Sequence, residues 1–296
     1  MILITGATGR TGSALIETLA AQGETIRARV RDQESVKKVR QPGVEVVVGN
    51  YEQPATLELA LRGVERVFLL SPEGPQMSEL QADFVDAAKR AGVRRLVRQS
   101  ILVAMMPDSP LALAQWHSQS DRLVEESGVP YTILRPAYFM QNVLASASAI
   151  ASNGTLYGAM GEGKVGMIDT RDVARVAAAA LTGAAHEGQT YVLTGPESVS
   201  MRDIARKLSG VLGREVTYAD MSPSDAKAGM VRMGTPEVVA DAWVQVARMV
   251  STGAADMVTP MVEQVTGIPP RPFEQFAGDY AGAFNVGTAA LSSQDR

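Results

Sequence analysis

Three glycines spaced three apart, Gly6-Ala-Thr-Gly9-Arg-Thr-Gly12, stand between an apolar run at 2–5 and an amphipathic stretch at 11–22. That pattern suits a pyrophosphate. Gly6 permits a tight turn out of a strand, and Gly9 lets backbone N–H groups approach the phosphates with no Cβ in the way. Gly12 lets the following helix lie close to the sheet, its N-terminus turned towards the negative charge. Thr8, Arg10 and Thr11 complete the loop. A glycine triplet alone also occurs in plain flexible turns. Here the preceding strand, the helix and the second strand fall where a dinucleotide site needs them.

The end of the second strand, Arg29-Val-Arg31-Asp32, selects the cofactor. An acidic residue there binds the ribose 2′-OH of NAD, and an arginine takes the 2′-phosphate of NADP. Arg31 is placed for the phosphate, with Arg10 joining from the loop, so NADPH is expected ahead of NADH. Two alternatives stay open: Arg27, Arg29 and Arg31 as one exposed polar face of an alternating strand, or a one-residue shift that presents Asp32 to the ribose.

A second constellation is His117-Ser-Gln-Ser-Asp121, whose ends share one face of a helix and can interact. A histidine there can orient an acceptor or donate a proton near neutral pH. The alternative is that Trp116 and His117 only pack the helix against the loop after Ser100. Ligands of parallel α/β sheets bind at the carboxyl ends of the strands. That rule selects Leu70-Ser71-Pro72, Gln99-Ser100 and the segment from Arg135 and Pro136 to Tyr138 and Phe139. Each of these has a packing reading beside the functional one. His186, in a Gly/Ala/Glu loop, reads as solvated.

The elements that position these groups follow from periodicity. Strand patterns at 2–5, 25–30, 44–48, 66–70, 94–99 and 131–134 alternate with helical patterns at 11–22, 34–40, 55–62, 79–91 and 113–127. Gly23, Gly63, Gly92 and Gly128 suit helix C-terminal caps. The alternation predicts an α/β fold, a Rossmann-type doubly wound parallel sheet with a smaller, mainly helical C-terminal lobe. Further on, 154–166 reads as a loop or small hairpin, 170–183 as a helix and 190–194 as a strand. Ser200-Met-Arg-Asp203 starts a helix to about 212. A strand is expected at 215–218 and helices at 236–250 and 272–283. The organisation expected is an NADP-binding domain at 1–150, with 170–195 rejoining it, a substrate-binding lobe at 151–284 and a loosely held tail at 285–296.

Composition narrows the function classes. The 296 residues carry a net charge of −4, so no basic excess exists to neutralise nucleic acid. There is no cysteine, which excludes disulfides, thiolate metal sites and cysteine nucleophiles. Only two histidines occur, and no metal is expected. No signal-peptide pattern opens the chain, and the apolar stretch at 177–181 falls short of the ~20 residues of a membrane span. A cytoplasmic protein is expected. The partner expected is a small molecule, not nucleic acid or membrane, and a homodimer is left open.

The glycine loop, Val30-Arg31-Asp32 and the stretches 88–97 and 127–136 together resemble the NmrA-like group of atypical short-chain dehydrogenases/reductases. Within that group the likeness is to type 2 NAD(P)H:quinone oxidoreductases and triphenylmethane reductases. Ser109 to Ala114 followed by His117, Gly161-Glu-Gly-Lys164 and Thr170-Arg-Asp172 extend the resemblance, which covers most of 1–220 and fades beyond. It implies that His117 lines the nicotinamide pocket and that Asn50 stands near the adenine, where relatives often carry aspartate. It also implies that 136–142 flanks the nicotinamide, with Tyr138, Phe139 and Trp116 as substrate-side aromatics. The Tyr-x-x-x-Lys pair of ordinary superfamily members is missing: none of the seven tyrosines has lysine four residues on. The expected activity is NADPH-dependent hydride transfer to a conjugated acceptor such as a quinone, dye, enone or imine. The alternatives are a catalytically silent NADP(H)-binding redox sensor, and a carbonyl or imine reductase using His117, assisted by Asp121, as acid.

Overall fold

A computed structural model describes residues 1–285; the expected tail at 285–296 lies outside the described residues except for Asn285. The chain forms two compact units, one made of Met1–Pro136 with Thr170–Val192, the other of Ala137–Asp169 and the chain from Leu193 onward.

In the first unit, strands and helices alternate: β1 (Ile2–Ile4), α1 (Arg10–Ala21), β2 (Ile26–Val30), α2 (Gln33–Val39), β3 (Val44–Val48), α3 (Pro54–Leu61), β4 (Arg66–Leu69), α4 (Met77–Arg90), β5 (Arg95–Gln99), α5 (Ala112–Glu126) and β6 (Tyr131–Pro136). The sheet runs β3-β2-β1-β4-β5-β6, with the strand Gln189–Leu193 added beside β6. The pairs from β3 to β6 are parallel, with Ile2 opposite both Ile26 and Arg66. Strand order reverses between β1 and β4, and this switch point opens a crevice at the carboxyl ends of the strands.

The central strands are apolar because both faces are covered. Leu3, Val67, Leu69 and Leu96 meet Leu57, Phe84, Val85, Ala88 and Val124 from α3, α4 and α5 in one buried cluster. Helix Thr170–Thr182 packs along α1. The glycines after four of the helices take left-handed backbone, as at Gly92 with φ +77°.

One expectation for β2 is corrected. Arg27 and Arg29 are not an exposed face: they are only 8% and 6% exposed. Arg27 donates to the carbonyls of Ala60 and Arg62 and pairs with Glu45, its cross-strand neighbour, at 3.0 Å. Arg29 donates to Gly49 O and lies 3.9 Å above the Tyr51 ring. Capping of α3 and bracing of β3 absorb these two cations.

In the second unit the segment 154–166 does not close on itself as a hairpin. Thr155–Gly158 pairs parallel with Thr217–Asp220, and Lys164–Val165 pairs antiparallel with Val199–Ser200. A Cβ on Gly163 would lie 2.1 Å from Val250 O, so this segment is held by backbone approach to a later helix. Helix Met201–Leu212 begins at a reciprocal capping box between Ser200 and Asp203. The expected helix at 272–283 is two helices, Phe273–Asp279 and Ala281–Asn285, and the helices Ala147–Asn153, Pro223–Arg232 and Met261–Thr266 had no clear periodic signal. No helix among the described residues is long and apolar enough to cross a membrane.

Candidate functional site

The glycine loop sits at the switch point. Gly6 has φ +63°, and a Cβ there would meet Leu70 Cδ2 at 2.9 Å, so the side chain of Leu70 lies over the turn. Thr5 Oγ1 donates to Leu70 O and accepts from Leu70 N at 2.9 and 2.7 Å, which ties the ends of β1 and β4 together. Tyr51 OH donates to the same carbonyl at 3.0 Å. A Cβ on Gly12 would stand 2.2 Å from Gly6 O, a distance no side chain survives.

Gly9 is the N-cap of α1, extended and without a side-chain cap, and the first turn of α1 holds no acidic residue. Its amide groups therefore face outward with the positive end of the helix dipole and no competing carboxylate. Thr8 and Arg10 are exposed beside it, and Thr11 is buried. At the end of β2, Arg31 is exposed and pairs with Asp32, whose carboxylate caps α2 through Ser35 N at 2.8 Å. The Ser35 side chain first, and this backbone bond after it, hold the Asp32 carboxyl below its ordinary range. Asn50 is engaged locally: its N–H donates to Thr56 Oγ1, and its side-chain oxygen accepts from Glu52 N.

A cradle that a Cβ would fill, an uncapped helix N-terminus and an exposed arginine fit a phosphorylated dinucleotide. The glycine loop would hold the pyrophosphate, and Arg31 a 2′-phosphate.

Next along the strand ends lies a buried charged centre. Arg98, on β5, is fully buried; its Nε donates to Gln81 Oε1 at 2.8 Å and its Nη1 to Asp121 Oδ1. Burial pushes the Arg98 guanidinium down to about 10, with Asp121 opposing, so it stays charged at neutral pH. The other oxygen of Asp121 accepts from Ser100 Oγ at 3.1 Å and from Arg135 Nε and Nη2 at 3.0 and 2.8 Å. Gln81 in turn donates to Ser71 Oγ at 2.7 Å. Two cations thus share one buried carboxylate.

His117 is 3% exposed and one turn from Asp121 on α5, yet it turns to Arg98: His117 Nδ1 lies 3.5 Å from Arg98 Nη2. Its Nε2 points to Glu73 Oε1 at 3.6 Å and has no hydrogen-bond partner. Burial pushes the imidazole below its ordinary value; Glu73 opposes this and Arg98 reinforces it.

Of the residues selected from sequence, the first unit brings Gly6, Gly9, Gly12, Leu70, Ser71, Ser100, His117 and Asp121 to consecutive strand ends. Arg31 and Asn50 follow β2 and β3. Pro136 ends β6, and Trp116 is half-buried on α5. Tyr138 and Phe139 are half-buried in the second unit, where Phe139 bridges to Ile168. Sequence reading missed Arg98, Glu73 and Gln81. A signal existed for Arg98: a charge in the apolar strand Leu96-Val97-Arg98 demands a buried partner.

Residues 1–268 match the family model described as NmrA-like. The chain is 39% identical over 286 residues to the NAD(P)H azoreductase of Xenophilus azovorans, covering 97% of this chain and 100% of that one. The solved NADPH-dependent quinone oxidoreductase of Escherichia coli in complex with NADPH is similar over 95% of this chain and 100% of its own, with 32% identity and a TM-score of 0.83. The Citrobacter sp. triphenylmethane reductase in complex with NADP(H) matches over the same shares, with 28% identity and a TM-score of 0.82.

Proposed function

We propose, starting from the fact that this chain belongs to the NmrA-like family, that it is an NADPH-dependent oxidoreductase acting on conjugated organic acceptors. The observation that carries the reading is the uncapped, acid-free start of α1 at the sheet's switch point, beside an Arg31 that is open to solvent. Relatives named for azo, quinone and triphenylmethane reduction support the acceptor class.

When bound, NADPH supplies the hydride. The chain's own residues bind and orient. The α1 amides and Gly9 receive the pyrophosphate, Arg31 forms a charge-assisted contact to the 2′-phosphate with Arg10 adjacent, and Leu70 packs over the turn. Ser71 and Ser100 are held at the strand ends by Gln81 and Asp121. A conjugated acceptor spreads the charge it receives, so turnover needs no Tyr-x-x-x-Lys relay. Asn50 near the adenine, Pro136 beside the nicotinamide and Trp116 towards the acceptor complete the proposed site in the first unit. On this reading the first unit is the NADP-binding domain and the second, with its helices beyond Leu193, the substrate lobe. A cytoplasmic setting suits a reductase that draws on the NADPH pool.

The test is NADPH consumption across a quinone, an azo dye, a triphenylmethane dye, an enone and an imine, with NADPH and NADH titrated in parallel. Turnover of at least one acceptor with preference for NADPH is expected. Tight NADPH binding without turnover of any acceptor would favour a redox sensor.

A further inference from the structure

A guanidinium has only N–H groups to offer; it carries no acceptor. The ring nitrogen facing Arg98 Nη2 at 3.5 Å, His117 Nδ1, must therefore present its lone pair. Arg98 cannot yield: its Nε is committed to Gln81 and its Nη1 to Asp121, both without freedom to rotate in a fully buried position. The proton of a neutral His117 then belongs on Nε2. That atom is buried, has no hydrogen-bond partner and points towards the half-buried carboxylate of Glu73, 3.6 Å away on the loop after β4. A buried N–H left without a partner is costly, so its retention argues for an occupant.

We propose that Arg98 fixes His117 as the neutral Nε2–H tautomer, that this N–H is the hydrogen-bond donor to the electronegative atom of the acceptor, and that Glu73 occupies the donor's direction until the acceptor arrives. The inference rests on the reductase reading. It names the favoured substrate class: conjugated acceptors whose reduction places negative charge on an oxygen or nitrogen, as in a quinone carbonyl or an azo group. The acceptor takes a hydride, with its two electrons, at a conjugated atom. The displaced π pair settles on the heteroatom held by His117 Nε2–H, NADPH becomes NADP+, and a proton from water neutralises the heteroatom. His117 keeps its own proton throughout. A cationic triphenylmethane dye accepts hydride at carbon and becomes neutral, so no anion develops for His117 to bind. The groups facing the imidazole are Arg98, Asp121 and Glu73. Arg98 is the positioning residue.

Imidazole 15N spectra of the histidine-labelled protein test the tautomer. With only two histidines in the chain, His186→Gln assigns the signals. A protonated Nε2 and bare Nδ1 for His117 at neutral pH are expected; the reverse tautomer, or an imidazolium, overturns the proposal. Kinetics test the role. His117→Ala should lower kcat for a quinone by up to ~10²-fold, the cost of one donor to a developing oxyanion, and leave the triphenylmethane dye within about threefold. Equal losses on both overturn the donor role. Glu73→Ala, at a partly exposed loop position, should lower the quinone KM while kcat and the dye are little changed; an unchanged quinone KM removes Glu73 from the scheme. Absence of turnover on every acceptor in the unmodified protein would defeat the reductase reading, whereas a reversed tautomer with normal turnover would defeat only this one.

Discussion

Arg31 Nε lies 3.0 Å from one oxygen of Asp32, while the other oxygen of that carboxylate caps α2 through Ser35 N. The acid that would have served a ribose hydroxyl is thus spent on a helix terminus, and the arginine beside it stays outside. Arg31→Ala should weaken NADPH binding by about 10-fold or more, the scale of one charge-assisted contact, with NADH affinity nearly unchanged. Titration of both cofactors into both proteins measures it. Equal wild-type affinities for the two would remove Arg31 from the site.

The glycines of the loop should fail in different ways. Gly12→Ala drives a methyl into Gly6 O and should lower stability by about 1–3 kcal/mol, the range of overpacking. At Gly9 an added Cβ meets only Gly6 O, at 3.2 Å. Gly9→Val should therefore fold and melt near the wild type, and lose NADPH, because its side chain stands where the pyrophosphate must come. A Gly9→Val protein that binds NADPH normally would contradict this account of the loop.

Removing Asp121 leaves two guanidiniums, one fully buried, facing each other. Breaking a buried ion pair in this way costs about 3–5 kcal/mol. Asp121→Ala should reach that range in urea denaturation, and Asp121→Asn, which keeps the shape and one acceptor oxygen, should lose less. A loss under about 1 kcal/mol for Asp121→Ala would mean that water or a rearranged Arg135 compensates.

Acid should weaken the fold through His117. Burial lowers its pKa in the native state, so on acidification the unfolded chain takes up the proton first, near the ordinary value of about 6.5. Stability then falls as pH drops below that point and stops falling from this source once the native imidazole is protonated too. His117→Gln should flatten that part of the profile, read as the denaturation midpoint between pH 7 and 5. An identical slope in both proteins would assign the acid sensitivity elsewhere.

What could be read from sequence was what is local. Ser200 and Asp203, three residues apart, specify their own capping box, and the helix observed, Met201–Leu212, begins where that signal puts it. Strands β1 and β4 were legible because burial on both faces leaves nearly unbroken apolar runs, and their neighbours because each is a short stretch rich in Val, Ile and Leu between helical patterns. Partners distant in sequence were not legible. Arg29 meets Gly49 twenty residues away, and Arg98 meets Asp121 twenty-three away. Nothing in the alternation of β2 distinguishes a buried, stapled arginine from a solvated one. His117 and Asp121 were rightly placed on one face of α5; what sequence lacked was the third group, Arg98, on which both converge. In the second unit, short strands paired with distant segments, so the glycine-rich stretch resembled a hairpin it does not form.

The sharing of Asp121 between Arg98 and Arg135 also bears on inheritance. Loss of Asp121 alone strands the fully buried Arg98 guanidinium, whereas loss of either arginine leaves Asp121 paired with the other, so Asp121 is the member of the triplet least free to change by itself. A copy that had drifted away from reduction altogether would still be destabilised by losing Asp121 alone. The triplet's presence in another sequence is therefore a mark of common architecture and says nothing of whether that protein turns over a substrate; for that question His117 and Glu73, whose contact lies outside the triplet, are the positions to compare.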